Sequence, residues 1–365
     1  MNIGIDARPL SYQLTGIGYY LGSLLDALQE VDRTCRYVLI SNRPIHYVIR
    51  NPNWSKQEGG CRRKLLSTAW MQTAAPLLAR RLGLDLFWGP RHHLPLMLPG
   101  KIRTVVTIHD VVHLRFPETM SLPHLMVERL LMGRSVRYAD RIVAVSHATR
   151  ADLIRRYPLS SCRVRTVHSG VPPLPPASCS ESALPEKYFL FVGTLEPRKN
   201  FERMFEAFSR AGAAAHGVHL VITGAAGWKN QPFIRMLERH PLRPFIHFTG
   251  YVSRDSLAGL YRRALALVFP SLYEGFGFPI LEAMASGAPV ITSNMSAMAE
   301  VAGDAAMLVD PRDVAQIAHA MVQLISDDGA MRRGLVRKGR LRAADFSWHR
   351  AASEMRQIFQ EVMPN

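Results

Sequence analysis

Two glutamates, Glu274 and Glu282, lie within the stretch FPSLYEGFGFPILEAMASG at 269–287. The pattern predicts a strand ending at Pro270 and a loop carrying Glu274, Gly275, Phe276 and Gly277. A helix then starts near Pro279, holds Glu282 in its first turn and stops at Gly287. A carboxylate accepts hydrogen bonds from neighbouring hydroxyls, so two of them at one strand mouth suit a polyol such as a ribose or a hexose. The glycines flanking Phe276 let backbone amides approach a ligand beside the positive end of the helix dipole. A plainer reading has Glu282 complementing the dipole and Glu274 solvated. The strand, glycine loop and helix in that order favour the polyol.

A second stretch, FLFVGTLEPRKN at 189–200, sends a buried strand into Gly193 and a short turn through Pro197. The turn delivers Arg198 and Lys199 to the head of the next helix, where adjacent cations bind phosphate through charge-assisted hydrogen bonds. The competing reading is an exposed basic turn. No GxxxxGK[ST] occurs, which excludes a P-loop nucleotidase. In TVVTIHD at 104–110 a strand ends in His109, placed to donate to a hydroxyl, to polarise a reacting group, or to serve structure alone. Gly16 and Gly18 follow the first strand in TGIGY, but Leu21 stands where a dinucleotide fingerprint needs its third glycine. A nicotinamide site is therefore unsupported, although both glycines permit close approach of a ligand.

These residues need a frame that points them one way. Continuous Val/Ile/Leu runs at 2–7, 37–41, 85–89, 102–109, 141–146 and 164–168 predict a parallel sheet buried on both faces, with amphipathic helices such as 19–30 and 148–157 between strands. Residues 171–187, VPPLPPASCSESALPEK, read as a proline-rich linker. The alternation restarts at 188–193, 219–224, 245–250, 264–269, 289–292 and 306–310. The expected architecture is α/β: a Rossmann-like domain at 1–170, the linker, and a second such domain at 188–346. A helix at 347–365, with Trp348, Met355 and Phe359 on one side, crosses back to the first domain. The expected ligand position is the crevice of such a pair.

Composition bounds the partners. The chain has 365 residues, 45 Lys and Arg against 29 Asp and Glu, and a net charge of +16. Residues 1–180 hold 24 of those bases against 11 acids, so the excess is N-terminal. Such a field attracts polyanions: nucleic acid, anionic lipid or phosphorylated substrates. The competing reading is a solvated, arginine-rich surface. No run of about 18 apolar residues suggests a membrane span, and MNIGIDARPL lacks the head and apolar run of a signal peptide. Cys35, Cys61, Cys162 and Cys179 are widely spaced, so neither a disulfide framework nor a zinc site is expected, and a reducing cytoplasm fits.

Taken together, GTLEPRKN, EGFGFPILEAMASGAPVI, TIHD and SAMAEVAGDAAMLVDP resemble the retaining glycosyltransferases of family 4, nearest to bacterial mannosyltransferases of O-antigen and exopolysaccharide assembly. The resemblance implies the GT-B fold, with an acceptor-binding first domain and a donor-binding second. It implies that Arg198 and Lys199 clamp the diphosphate of a nucleotide-sugar in place of a metal, with no further cofactor. Glu282 would hold the ribose. Glu274 and the amides at Phe276 and Gly277 would hold the transferred sugar, and Val252 would meet the base through its backbone. His109 would contact the donor sugar from the first domain, and Gly16 and Gly18 would line the donor. Thr194 stands where the family often has arginine, another point of contact with the donor. The donor implied is GDP-mannose. The acceptor is a glycan or a lipid-pyrophosphate-linked glycan at the inner leaflet, with no nucleic acid involved. Residues 61–81, bounded by Arg62, Arg63, Lys64, Arg80 and Arg81, read either as an interfacial helix on anionic lipid or as a core helix with solvated ends. A nucleotide-sugar epimerase and a basic nucleic-acid-binding protein are the competing functions.

Overall fold

A computed structural model describes residues 1–12, 14–60, 67–175, 184–225, 227 and 231–363. The chain divides into two compact units, one formed by Met1–Pro172 with Ser347–Asn365, the other by Pro173–Phe346.

In the first unit the strands are β1 (Asn2–Asp6), β2 (Arg36–Ser41), β3 (Trp54–Glu58), β4 (Leu86–Gly89), β5 (Arg103–Ile108), β6 (Arg141–Ala144) and β7 (Val164–Thr166). Among the described residues they form one sheet in the order β3-β2-β1-β4-β5-β6-β7, and every pairing is parallel. The inner strands are rich in buried apolar residues, as strands covered on both faces require: Ile3, Ile5, Phe87, Trp88, Val105, Val106 and Ile108 are all fully buried. β3 was not expected. It reads WSKQE, with only Trp54 buried, and it lies at the sheet edge, where one stacked contact between Trp54 and Tyr37 at 4.4 Å replaces an apolar run.

The helix Trp348–Glu361 belongs to this unit. Ser347 caps it by accepting from the Arg350 amide, and Met355, Ile358 and Phe359 are buried beneath it. Phe359 lies 5.6 Å from Trp88, and the Trp348 indole donates to the Val171 carbonyl at 2.9 Å. Burying each such side chain contributes about 1.5–3 kcal/mol. Gly170 is required here, since a Cβ would fall 2.5 Å from the Trp348 nitrogen.

Helix Ser67–Arg81 buries Met71, Ala75 and Ala79 while leaving Leu77 71% exposed, so one face packs on the core and the other stays open. Arg62, Arg63 and Lys64 lie outside the described residues. Among the described residues no helix is long and apolar enough to cross a membrane. Cys35 is buried and Cys162 exposed, both as free thiols. Cys61 and Cys179 lie outside the described residues, as do residues 176–183 of the expected linker.

The second unit carries β8 (Tyr188–Val192), β9 (His219–Thr223), β10 (Ile246–Gly250), β11 (Ala266–Phe269), β12 (Val290–Ser293) and β13 (Met307–Val309). Their order, among the described residues, is β10-β9-β8-β11-β12-β13, again parallel. In each sheet the order reverses at one place, between β1 and β4 and between β8 and β11. Open parallel sheets bind ligands outside the carboxyl ends of the strands at such a reversal. The loops after β8 and β11 are those that carry Arg198, Lys199 and Glu274.

Candidate active site

β8 is wholly buried and runs into Gly193, whose φ of 145° suits glycine. The loop then lies against its neighbour: a Cβ on Gly224 would sit 2.2 Å from the Gly193 carbonyl, and the Leu195 amide donates to Ala225 at 3.2 Å. A single 3-10 turn, Pro197–Lys199, presents the two cations. Asn200 closes the turn in the left-handed region, φ 61°, and its Nδ2 donates to Pro270 at 3.0 Å and Pro311 at 2.5 Å. The Leu272 amide donates to the Arg198 carbonyl at 2.8 Å. The loop after β11 is thereby tied to the loop after β8.

That tie brings three of the expected residues into contact. Lys199 Nζ donates to Glu274 Oε1 at 2.6 Å, and Arg198 Nη1 donates to Glu274 Oε2 at 2.7 Å. Arg198 Nη1 also donates to the Tyr273 carbonyl at 2.9 Å, and its Nη2 to Glu196 Oε1 at 2.7 Å. Lys199 and Glu274 are buried, and the ammonium lies 4.9 Å over the Phe269 ring. A solvated Glu274 and an exposed basic turn are both excluded by this burial. Burial alone raises the Glu274 pKa, but Arg198 and Lys199 outweigh it and hold the group at about 2, an anion at neutral pH. Burial lowers the Lys199 pKa against the pull of Glu274. Two cations and two carboxylates thus balance, a preorganised array whose cations can be shared with an incoming anion.

Glu282 lies in the second turn of helix Phe278–Ser286, not the first, because the helix begins one residue before Pro279. It is buried and it is paired: Arg254 Nη1 donates to Oε1 at 2.6 Å and the Tyr261 hydroxyl to Oε2 at 2.9 Å. Each carboxylate oxygen keeps a second lone-pair direction for a hydroxyl donor. Arg254 Nη2 also donates to the Pro173 carbonyl at 2.9 Å. Gly277, φ 116°, turns the loop into this helix. The Phe276 ring is buried edge-on against Phe278 and Phe346, so only its backbone faces the loop's chemistry. Ser296, itself at φ 56°, donates its hydroxyl to the Glu274 carbonyl at 2.9 Å and fixes the loop from the far side. Thr194 is half-buried in the β8 loop, and Val252 is half-buried just before helix Arg254–Arg263.

The remaining expected residues belong to the first unit. A buried pair, Arg8 with Asp6 at 2.8 Å, fixes the exit of β1. Beyond it Gly16 opens helix Gly16–Val31; a Cβ there would meet no protein atom within 4 Å, whereas at Gly18 it would meet Leu14 Cδ2 at 2.9 Å. His109 follows β5. Its Nε2 donates to the Pro90 carbonyl at 2.8 Å, which leaves Nδ1 as an acceptor. Burial first, and the charge of His92 second, push its pKa down to about 4. An uncharged ring with that tautomer accepts from a hydroxyl and does not donate through Nδ1, a correction to the donor role allowed by the sequence.

Sequence reasoning assigned nothing to Glu196, Arg254, Tyr261 or Ser296. Glu196 stands two residues from Arg198, a spacing that signals an internal partner. Arg254 and Tyr261 are seven apart and share one helix face, but which acid they serve is a long-range fact.

The model for glycosyl transferases group 1 matches residues 180–342, and that for glycosyltransferase family 4 matches residues 15–173. The chain is 30% identical to O-antigen chain mannosyltransferase B of Escherichia coli, covering 97% of this chain and 98% of that one. In structure it is similar to sucrose-phosphate synthase from Thermosynechococcus elongatus, with a TM-score of 0.76, 21% identity, and coverage of 99% and 98%. WaaG, a glycosyltransferase involved in lipopolysaccharide biosynthesis, gives a TM-score of 0.71 at 14% identity and covers all of both chains. The two parallel sheets and the family matches together establish that the chain belongs to the family 4 glycosyltransferases, with the GT-B fold.

Proposed function

We propose that this glycosyltransferase moves a mannosyl group from GDP-mannose to a glycan or lipid-pyrophosphate-linked glycan in cell-surface polysaccharide assembly, with retention and without a metal. The full-length similarity to an O-antigen mannosyltransferase supports the sugar and the acceptor class. The observation that carries the chemistry is the buried contact of Arg198 and Lys199 with Glu274. In this reading the diphosphate draws the two cations partly away from Glu274, whose freed oxygens accept from hydroxyls of the transferred sugar. Glu282 accepts from the ribose, the backbone at Val252 meets the base, and the amides at Phe276 and Gly277 meet the sugar. Nδ1 of His109 accepts from a sugar hydroxyl, and the backbone at Gly16 and Gly18 and the side chain of Thr194 lie along the donor.

Retention without an enzymic nucleophile calls for a reaction on one face of the sugar. The C1–O bond to the diphosphate breaks, the acceptor oxygen bonds C1 from the same side, and the acceptor's proton passes to the departing phosphate oxygen. The protein's share is positioning and electrostatic stabilisation of that oxygen. Family membership leaves the epimerase and nucleic-acid readings without support.

We further propose peripheral contact with anionic lipid. The basic excess of the first 180 residues supports it, as do exposed Leu77 beside Arg80 and Arg81 on helix Ser67–Arg81. Flotation with anionic but not neutral vesicles is expected; equal binding to both, or to neither, contradicts it. For the donor, melting is measured against GDP-, UDP- and ADP-sugars. Ligand at about 100 times its Kd adds about 2.7 kcal/mol, so GDP-mannose raises Tm most, followed by product formation on a mannan acceptor. A rise with UDP- or ADP-sugars and none with GDP-mannose overturns the donor assignment.

A further inference from the structure

A second buried ionic cluster lies at the carboxyl ends of β4 and β5, beside the strand reversal of the first sheet. The turn after β4, Pro90-Arg91-His92-His93, packs tightly on the strand: a Cβ on Gly89 would sit 2.3 Å from the His93 carbonyl. His92 takes a left-handed backbone, φ 57°, with its amide donating to the Thr107 carbonyl at 2.9 Å. Such a conformation in a residue other than glycine marks a place the surrounding structure over-determines.

The partner comes from a helix with a defect. Helix Leu122–Val127 passes into a π turn, Glu128–Met132, before helical winding resumes at Gly133–Tyr138. Such turns concentrate at functional sites. Here the acid at its start, Glu128, is buried while Met126, Val127, Arg129 and Leu130 are exposed. Glu128 Oε2 meets His93 Nε2 at 3.1 Å and His92 Nδ1 at 3.3 Å. The His92 ring centroid lies 5.5 Å from that of His109, which is pinned edge-on by Tyr20 at 4.7 Å. Nothing in this array is used by the reaction described above except His109.

We propose that Glu128 is a positioning residue for glycosyl transfer: it holds His92 beside the His109 ring and so fixes the form in which His109 meets a sugar hydroxyl. The inference rests on the reading that His109 contacts the transferred sugar. The electrostatics agree with the geometry. Burial lowers the His92 pKa, but the hydrogen bond and charge of Glu128, aided by Asp110, carry it above the ordinary value; Arg91 opposes weakly. Burial raises the Glu128 pKa, yet its bonds with His92 and His93 hold it well below the carboxylate range. His93 is lowered by burial, so of the two the proton belongs to His92. Among the described residues, further titratable groups facing the cluster include His124, 3.9 Å from Glu128, His113, which meets the Tyr157 hydroxyl at 3.2 Å, Tyr157 itself, whose pKa burial and Glu128 raise, Arg129, and Tyr20. With Glu128 neutralised, His92 loses its proton, the repulsion it exerts on a charged His109 vanishes, and His109 protonates at higher pH.

The test is histidine ring NMR of the full chain with pH profiles of kcat/KM, on the native protein, Glu128→Gln and His92→Asn. Asparagine tolerates the left-handed turn. In the native spectrum at pH 5.5, His92 is expected doubly protonated and His109 neutral with its proton on Nε2. In both variants the His109 midpoint and the acid limb of kcat/KM move up together by about one pH unit, the lower end of a neighbouring charge's effect. A purely structural Glu128 would lower Tm and leave both where they are. A neutral His92 in the native spectrum overturns the inference even if neither variant folds, and so does an unmoved His109 midpoint in a folded variant. Unimpaired transfer by His109→Ala defeats the site reading instead, and leaves the NMR result standing.

Discussion

The two units place ionisable groups at equivalent points, the carboxyl ends of strands beside a reversal of strand order, yet fill them with opposite chemistry. In the second unit Arg198, Lys199, Glu196 and Glu274 are paired at 2.6–2.7 Å, and Glu274 stays ionised down to about pH 2. In the first unit His92 and His93 meet the acid Glu128, His109 lies beside His92, and burial holds His109 and His113 uncharged, with pKa values down to about 4. Fixed charge suits a diphosphate that arrives ionised at any physiological pH. Neutral imidazoles suit hydroxyls, which need acceptors of defined tautomer. Strand topology chooses where chemistry happens, and the side chains planted there choose which ligand group is met.

The largest effect separates the fixed charges from the rest. Lys199→Ala and Glu274→Gln are each expected to lower kcat/KM by about 10²–10³, the cost of losing one preorganised stabiliser, or about 3–4 kcal/mol. Arg198 still pairs Glu274 in the first variant, so circular dichroism is expected to show a folded chain. Steady-state kinetics with donor and acceptor checks both, and near-native turnover by either breaks the contrast.

Acid sharpens it next. His109, held near 4 when folded against about 6.5 unfolded, favours protonated, unfolded chain as pH falls from 6.5 to 4, and His113 acts alike. His109 alone removes about 3 kcal/mol across that window. His92, raised rather than lowered, works the other way, its contribution being present below 6.5 and lost as pH rises. Glu274, depressed to about 2, stabilises above 4.5 and loses that contribution only between 4.5 and 2. Hydrogen exchange at pH 5 is therefore expected to show the first unit opening while the second stays protected; the reverse order contradicts these assignments.

Smaller effects follow. Arg254→Ala frees the Glu282 carboxylate from its cation and is expected to raise donor KM at least tenfold with little change in kcat, a loss of about 1.5–3 kcal/mol for one charged hydrogen bond. Equal loss in kcat assigns Glu282 to the reacting sugar instead. His109→Ala is expected to cost about tenfold in kcat/KM, the value of one hydrogen bond between neutral groups.

Much of this frame was legible. Val/Ile/Leu runs marked β1, β4, β5, β8 and β11 because strands buried on both faces leave no polar alternation to misread. β3 was not, since WSKQE carries one buried residue and draws its order from its neighbour β2. Glu274, Arg198 and Lys199 were legible because each follows a strand end within a few residues, so local punctuation located them. Their mutual contact depends on Asn200 and Leu272 tying two loops from distant parts of the chain. Glu128 was illegible for the same reason: helical spacing does not foretell a π turn, and its histidines lie 35 and 36 residues earlier.

The most direct test of the central claim is a crystal structure with GDP-mannose bound. The diphosphate is expected against Arg198 and Lys199, with a hydroxyl of the sugar on Glu274 and the ribose on Glu282. Donor density elsewhere, with the salt bridges of Glu274 and Glu282 undisturbed, would contradict it.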